Sequence, residues 1–412
     1  MTSARLLFCA GSLLSATLAL GCGANVDLAP DGDEGGAPNG GAPDDGAPGG
    51  NGGNGGSTDV STGGAAPNGL PLACEGGEGV LVAASSPTSE GVIVVANEGA
   101  WAAPHMLPPA SQMAAYVDVY GALGIFWIGS IDDIDERRFV TTHDGRAFIE
   151  RDVFGWEPSA YAPLYKAEWA LVGSEEGLTS VAYFDPDAMD WYPLVEPTMF
   201  VPSSVAWDSV NGGVLLIHGW LGELCSQMFF ETQWMDSQCD TTHPVATAIG
   251  GEISLPPPRA VTLPDGSIVA IYYAPSDSSL TLAAATWQFG AWSPAVTTPD
   301  VGFVVATTAT PGGDVLVASV STDGNLFVQR LTPGVGFDAP VLVDSGIDIY
   351  YAAAAPGVCG DDAVLAYTRG SVEGGELRVA RIRGELSETT QVASLPDQPA
   401  WAVDITTRPA AL

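Results

Sequence analysis

From Cys74 onward, short apolar runs alternate with turn signals, and the alternation itself repeats along the chain. One unit comprises an apolar strand, a tight turn, a second strand, a polar loop, a third strand and a closing element with Gly, an aromatic residue and Pro. In one copy Arg259–Leu263 turns at Pro264-Asp265-Gly266 into Ile268–Tyr272, and Ser276-Asp277-Ser278 leads to Thr281–Trp287. Gly290-Ala291-Trp292-Ser293-Pro294 closes that unit. The next runs through Val304–Thr308, Gly312-Gly313-Asp314, Val315–Val320 and Leu326–Leu331 to Gly336-Phe337-Asp338-Ala339-Pro340. Asp-Gly between alternating apolar runs is a hairpin signal, so each unit predicts a small antiparallel sheet.

Anchoring the first strand of each unit at Tyr116, Trp169, Val205, Arg259, Val304, Tyr351 and Trp401 gives separations of 36 to 54 residues. Propeller blades repeat at roughly 40–50 residues. The unit near Gly79-Val80-Leu81-Val82 has no first strand before it, because Pro71 and Cys74 interrupt that region. The chain instead ends with an unpartnered strand, Trp401–Ile405. Swapping that strand into the first blade would close a ring and remove two exposed sheet edges. The predicted fold is all-β: a single seven-bladed β-propeller over residues 74–412, with six blades the competing count because the unit at Trp169 is short and irregular.

The first 73 residues follow a different pattern. Arg5 precedes an apolar run from Leu6 to Leu20, and Leu18-Ala19-Leu20-Gly21-Cys22 follows. The run is shorter than the roughly 20 residues of a membrane-spanning helix, so residues 1–21 read as an export signal. The pattern resembles the bacterial lipobox, which implies lipidation of Cys22 as the first mature residue. The alternative is an ordinary cleaved signal peptide. Residues 22–73 are Gly, Pro, Ala, Asn and Asp with almost no bulky apolar residue. Such a segment buries too little surface to offset its ordering entropy and reads as a flexible tether spanning ~40 Å r.m.s..

Composition narrows the partners. Net charge is −36 and Lys166 is the sole lysine. Nucleic-acid binding requires phosphate-neutralising Lys or Arg and is therefore not expected, nor is charge-driven adhesion to anionic headgroups. A lipid-anchored monomer is expected, at the outer membrane because Gly23 is not an inner-membrane retention residue. Its expected partner is a glycan or an envelope protein. After the signal and the lipidated Cys22, four cysteines remain, and an exported chain favours disulfides. Ring closure would make Cys74 and Cys359 neighbours across the seam, leaving Cys225 to pair with Cys239.

Ser321-Thr322-Asp323-Gly324-Asn325-Leu326-Phe327 and Thr142-His143-Asp144-Gly145-Arg146-Ala147-Phe148 look like the Asp-box hairpins of sialidase-like propellers. The resemblance implies a fold. It does not extend to the activity, because the Arg-Ile-Pro segment of those enzymes is absent.

Candidate chemistry is sparse. No Ser, His or Cys nucleophile constellation emerges, so no catalytic residue is assigned. His218 could act as a general base, but no matched nucleophile accompanies it. Tyr116, Trp169, Trp207, Arg259, Tyr350 and Trp401 are expected at the mouth of the central channel, with Arg259 the lone cation there. Trp101, Trp156 and Trp292 sit in closing elements and are expected in the inter-blade core. Loops between second and third strands would gather Glu90, Asp132, Glu223, Asp277, Asp323 and Glu373 on one rim. Asp185, Asp187 and Asp190 are placed on the same rim as a candidate Ca²⁺ site, since closely spaced carboxylates suit a hard cation; no other cofactor is expected. The function expected is a non-catalytic binding or scaffolding module. The alternative is a glycan-acting hydrolase or lyase that uses rim carboxylates and an aromatic-lined channel.

Overall fold

The structure, a computed structural model, describes residues between 79 and 408 apart from short connecting segments. Every regular element described is a strand. Residues 1–21, 22–73, Cys74 and Cys359 lie outside the described residues.

Strands follow the chain sheet by sheet. The first sheet holds β1 (Gly79–Ser85), β2 (Gly91–Asn97), β3 (Ala100–Trp101) and β4 (His105–Leu107). The second holds β5 (Gln112–Val117), β6 (Leu123–Ile131), β7 (Ile134–Thr142) and β8 (Ile149–Asp152). In the third are β9 (Pro158–Pro163), β10 (Trp169–Glu175), β11 (Leu178–Asp185) and β12 (Asp190–Pro193). The fourth has β13 (Ser204–Asp208), β14 (Gly213–Trp220), β15 (Glu223–Phe230), β16 (Gln233–Trp234) and β17 (Gln238–Pro244). A two-stranded ribbon, β18 (Ala248–Ile249) with β19 (Ile253–Ser254), comes next. The fifth sheet has β20 (Arg259–Thr262), β21 (Ile268–Ala274), β22 (Thr281–Gln288), β23 (Ala291–Trp292) and β24 (Val296–Pro299). The sixth has β25 (Phe303–Ala309), β26 (Val315–Val320), β27 (Leu326–Thr332), β28 (Gly336–Phe337) and β29 (Val341–Asp344). The seventh has β30 (Ala352–Pro356), β31 (Ala363–Ser371), β32 (Gly374–Arg383) and β33 (Leu386–Leu395). The last strand, β34 (Ala402–Arg408), returns to the first sheet and pairs antiparallel with β1 from Gly79↔Arg408 to Ser85↔Ala402.

Burial explains why the middle strands read as continuous apolar runs. In β21, Ile268, Ala270 and Tyr272 join a core shared with the fourth sheet, while Val269, Ile271 and Tyr273 join one shared with the sixth. The period of two thus sends alternate side chains into two different cores, and neither face meets water. β26 does the same: Val315 and Val317 face the fifth sheet's core, Leu316, Ala318 and Val320 the seventh's. Outermost strands are exposed, as in β17 and β24. Val80, Val82, Val92 and Val94 of the first sheet share one core with Val364, Leu377 and Val379 of the seventh and with Val403 and Ile405 of β34. Trp101 and Trp292 pack against these cores, as expected of the closing elements.

The turns carry the chemistry read from the sequence. Gly266 takes φ 86° and its amide donates to the Leu263 carbonyl at 2.9 Å, while Asp265 Oδ1 accepts from Ser267 N and Oγ. Thr310–Asp314 forms the corresponding turn in the sixth sheet, with Gly313 at φ 91° and its amide donating to the Thr310 carbonyl at 3.0 Å.

One unit begins earlier than the repeat predicts. Trp169 opens β10, the second strand of its sheet, and the first strand is β9. Pro158 and Pro163 bracket β9, and proline ordinarily argues against a strand. Here β9 is an edge strand of its sheet, the one position where proline is tolerated. First strands now start at residues 112, 158, 204, 259, 303, 352 and 402, between 44 and 55 residues apart. The third sheet is thereby four-stranded, with β9 as its first strand.

Candidate functional site

First strands lie beside one another: β34 neighbours β5 and β30, β25 neighbours β30 and β20, and β13 neighbours β20 and β9. Side chains stitch several of these neighbours together. Ser204 Oγ of β13 accepts from the Ala260 amide of β20 at 2.9 Å, and Ser203 Oγ donates to the Pro258 carbonyl at 2.9 Å. Thr407 Oγ1 of β34 donates to the Pro356 carbonyl of β30 at 2.9 Å.

Because successive strands are antiparallel, the beginnings of first strands share a face with the turns between second and third strands. Arg259 opens β20 and sits on that entry face. Tyr116 and Trp207 are the penultimate residues of β5 and β13, so they lie toward the opposite end. Trp169 starts a second strand, which places it toward the far face as well. The expectation of one shared mouth fails for these three, because a strand runs from one face to the other over its length and the chain reverses direction at each turn. Tyr350 and Trp401 lie outside the described residues.

Arg259 is half-buried, and no carboxylate among the described residues pairs with it. Desolvation by the surrounding protein lowers its pKa, opposed only by the Tyr273 hydroxyl. That hydroxyl is itself fixed between sheets, accepting from Val304 N at 2.6 Å and donating to the Gly302 carbonyl at 3.1 Å. Burial raises the Tyr273 phenol to about 12, so it stays neutral. A guanidinium set among neutral groups favours a bound anion.

Asp404, at the middle of β34, is the second unusual group. Its Oδ2 accepts from the Ala115 amide of β5 at 2.8 Å, joining the first sheet to the second, and its Oδ1 accepts from Ile405 N at 2.8 Å. Burial raises its pKa to about 7, and the two backbone donors only partly oppose that. Nothing in the sequence singled out Asp404. It reads as the polar member of an alternating strand, and its burial arises only when β34 lies between β1 and β5.

Glu90, Asp132, Asp277 and Glu373 lie outside the described residues, whereas Glu223 and Asp323 lie at turns that join second to third strands and therefore share the entry face. Asp185 and Asp190 do not. They are cross-strand partners at the β11–β12 hairpin, a third-to-fourth-strand turn on the opposite face. The correction follows from the earlier start of that unit, because a shift by one strand exchanges the faces. Asp187 lies outside the described residues, and among the described residues no group of three His, Cys, Asp or Glu is placed to hold a metal ion. His218 lies opposite Cys225 near the β14–β15 turn, and burial lowers its pKa.

Cys225 and Cys239 form a disulfide with Cα atoms 4.0 Å apart. A regular hairpin centred near residues 235–238 would hold them out of register. Instead β16 and residues 235–237 intervene, and β17 then pairs with β15 so that Cys225 faces Cys239 directly.

No protein-family model matches the chain, and no curated protein matches it. Solved structures do resemble it. The BP39L lectin from Burkholderia pseudomallei has a TM-score of 0.53 at 16% identity, over 77% of this chain and 95% of that one. A protein from Bacteroides uniformis named as a 6-phosphogluconolactonase candidate has a TM-score of 0.52 at 10% identity, over 80% of this chain and all of that one. Identities this low speak to fold alone. Together with the sheet order, they show that the chain has a β-propeller fold.

Proposed function

We propose that this chain is a lipid-anchored, non-catalytic β-propeller that serves as a binding or scaffolding module at the bacterial cell envelope. Its seven four- or five-stranded sheets are seven blades, closed into a ring where β34 joins β1. Cys22 carries the anchor at the outer membrane, and residues 23–73 hold the propeller clear of the headgroups. The observation that carries the binding reading is Arg259, a desolvated guanidinium with no carboxylate partner among the described residues, at the entry face of an inner strand. In a chain of net charge −36, such a cation suits a ligand bearing a carboxylate or phosphate.

The experiment is a glycan array probed with the wild-type chain and with Arg259→Gln. Retention of acidic glycans by wild type, their loss in the variant and no released reducing ends support the reading. No acidic glycan retained, or retention unchanged in Arg259→Gln, overturns it.

A second reading, a glycan hydrolase or lyase, is favoured by one observation. Asp404 titrates near 7, in the range of a general acid. No charged carboxylate among the described residues contributes to that shift, and glycoside hydrolysis ordinarily requires a pair. Release of reducing ends that stops in Asp404→Asn would establish this second reading.

A further inference from the structure

Away from the first strands, a cleft of about 240 Å³ opens between the fourth and fifth sheets. Ser226, Gln238 and Asp240 line it from one side, Trp287 and Trp292 from the other. The volume is below the roughly 300–1,000 Å³ of sites for drug-sized ligands, which limits the occupant to about one ring.

Three features of the lining select its chemistry. No lysine or arginine contributes, so an anion finds no counter-charge. Asp240 already has close neighbours on both oxygens: Oδ1 accepts from Thr242 N at 2.8 Å and Thr242 Oγ1 at 2.6 Å, and Oδ2 lies 3.0 Å from His243 Nδ1. A cation is therefore not demanded either. The indole N–H groups of Trp287 and Trp292 are both buried with no acceptor among the described residues. Trp287 itself is only 7% exposed. An occupant of the open cleft does not reach those buried N–H groups; the polar partner it meets is on the facing wall, where Gln238 is exposed and carries both donors and an acceptor, so an occupant with polar groups on one edge is favoured over a purely apolar one. A neutral group with hydroxyl donors and acceptors on one edge and C–H on its faces meets all three conditions.

The cleft is also held in shape. The Cys225–Cys239 disulfide ties β17 to β15, and His243 Nε2 donates to the Ser293 carbonyl at 2.7 Å, joining the fourth sheet to the fifth. Trp287 and Trp292 are cross-strand partners with ring centroids 5.0 Å apart at 61°, which fixes both ring planes. Walls fixed in this way spare a ligand the ordering cost of closing them.

From this geometry we infer that the cleft binds a single neutral saccharide ring, at a site separate from Arg259 and independent of it. The test is ligand-observed saturation-transfer NMR on the full chain with glucose, galactose, mannose and N-acetylglucosamine at millimolar concentration. At least one sugar should give saturable transfer. Trp292→Ala should weaken it at least tenfold, and Arg259→Gln should leave it unchanged. Should Trp292→Ala misfold, Gln238→Ala alters an exposed residue on the opposite wall and should weaken transfer several-fold. Absence of transfer for all four sugars overturns the inference. So does unaltered affinity in a folded variant of the cleft, or loss of transfer in Arg259→Gln.

Discussion

At the scale of single residues, burial sets what Arg259, Asp404 and Gly302 do. The Asp404 carboxyl moves from an ordinary 3.8 to about 7 on folding. Between those pH values the folded state holds a proton that the unfolded state has released. Stability therefore falls as pH rises from about 4 to about 7 and is level above that. Asp404→Asn keeps an acceptor for the Ala115 amide and removes the titration. Urea unfolding at pH 4.5 and pH 8 should show wild type losing stability across the window and the variant not. At pH 8 the variant should be the more stable by roughly 1–3 kcal/mol. Parallel behaviour of the two proteins would refute the assignment. Gly302 behaves differently: a Cβ there would lie 2.1 Å from the Val320 carbonyl oxygen, and backbone cannot give way cheaply. Gly302→Ala should cost on the order of 2 kcal/mol or more, read as a lowered urea midpoint. Arg259 was legible in the sequence because it opens a repeat unit. Asp404 and Gly302 were not, since each depends on what a different sheet places beside it.

Elements were legible in proportion to their burial on two faces. β1, β21 and β26 are almost wholly apolar because they are sandwiched between neighbouring cores, and they read as strands at once. β9 did not, because proline stands at each end of it. Bridges between sheets were invisible for the same reason as Gly302. Tyr273 is the clearest case: its hydroxyl both accepts from Val304 N and donates to Gly302 O across the fifth and sixth sheets. Tyr273→Phe should cost about 1–3 kcal/mol, because the Val304 amide and the Gly302 carbonyl would lose a buried partner. Equilibrium urea unfolding measures it, and a change within a few tenths of a kcal/mol would mean that water replaces the hydroxyl. The Cys225–Cys239 pair was anticipated, although its register depended on β16, a strand of two residues that no periodicity reveals.

For the whole molecule, the order of sheets followed from the repeat and the placement of β34 from simple counting: one unit lacked a first strand and one strand lacked a unit. What that placement contributes is open to measurement. β34 makes seven cross-strand pairs with β1. Its Val403 and Ile405 join a core shared by the first and seventh sheets. Asp404 accepts from Ala115 of the second sheet, and Thr407 donates to Pro356 of the seventh. Burying two such aliphatic side chains is worth about 1.5–3 kcal/mol each before any hydrogen bond is counted. A domain is commonly stable by only about 5–15 kcal/mol, so losing this strand should remove much of the margin. A chain ending at Trp401 should therefore unfold at markedly lower urea. Alternate amides of β1, those that turn toward the lost strand, should exchange with solvent far faster than those of Val269 and Ile271 in the fifth sheet, while the amides between them stay paired with β2. Adding a peptide of residues 402–412 should restore protection at those alternate amides. Unchanged midpoint and exchange in the truncated chain would show that the first and seventh sheets hold together without β34, and the proposed closure would fail.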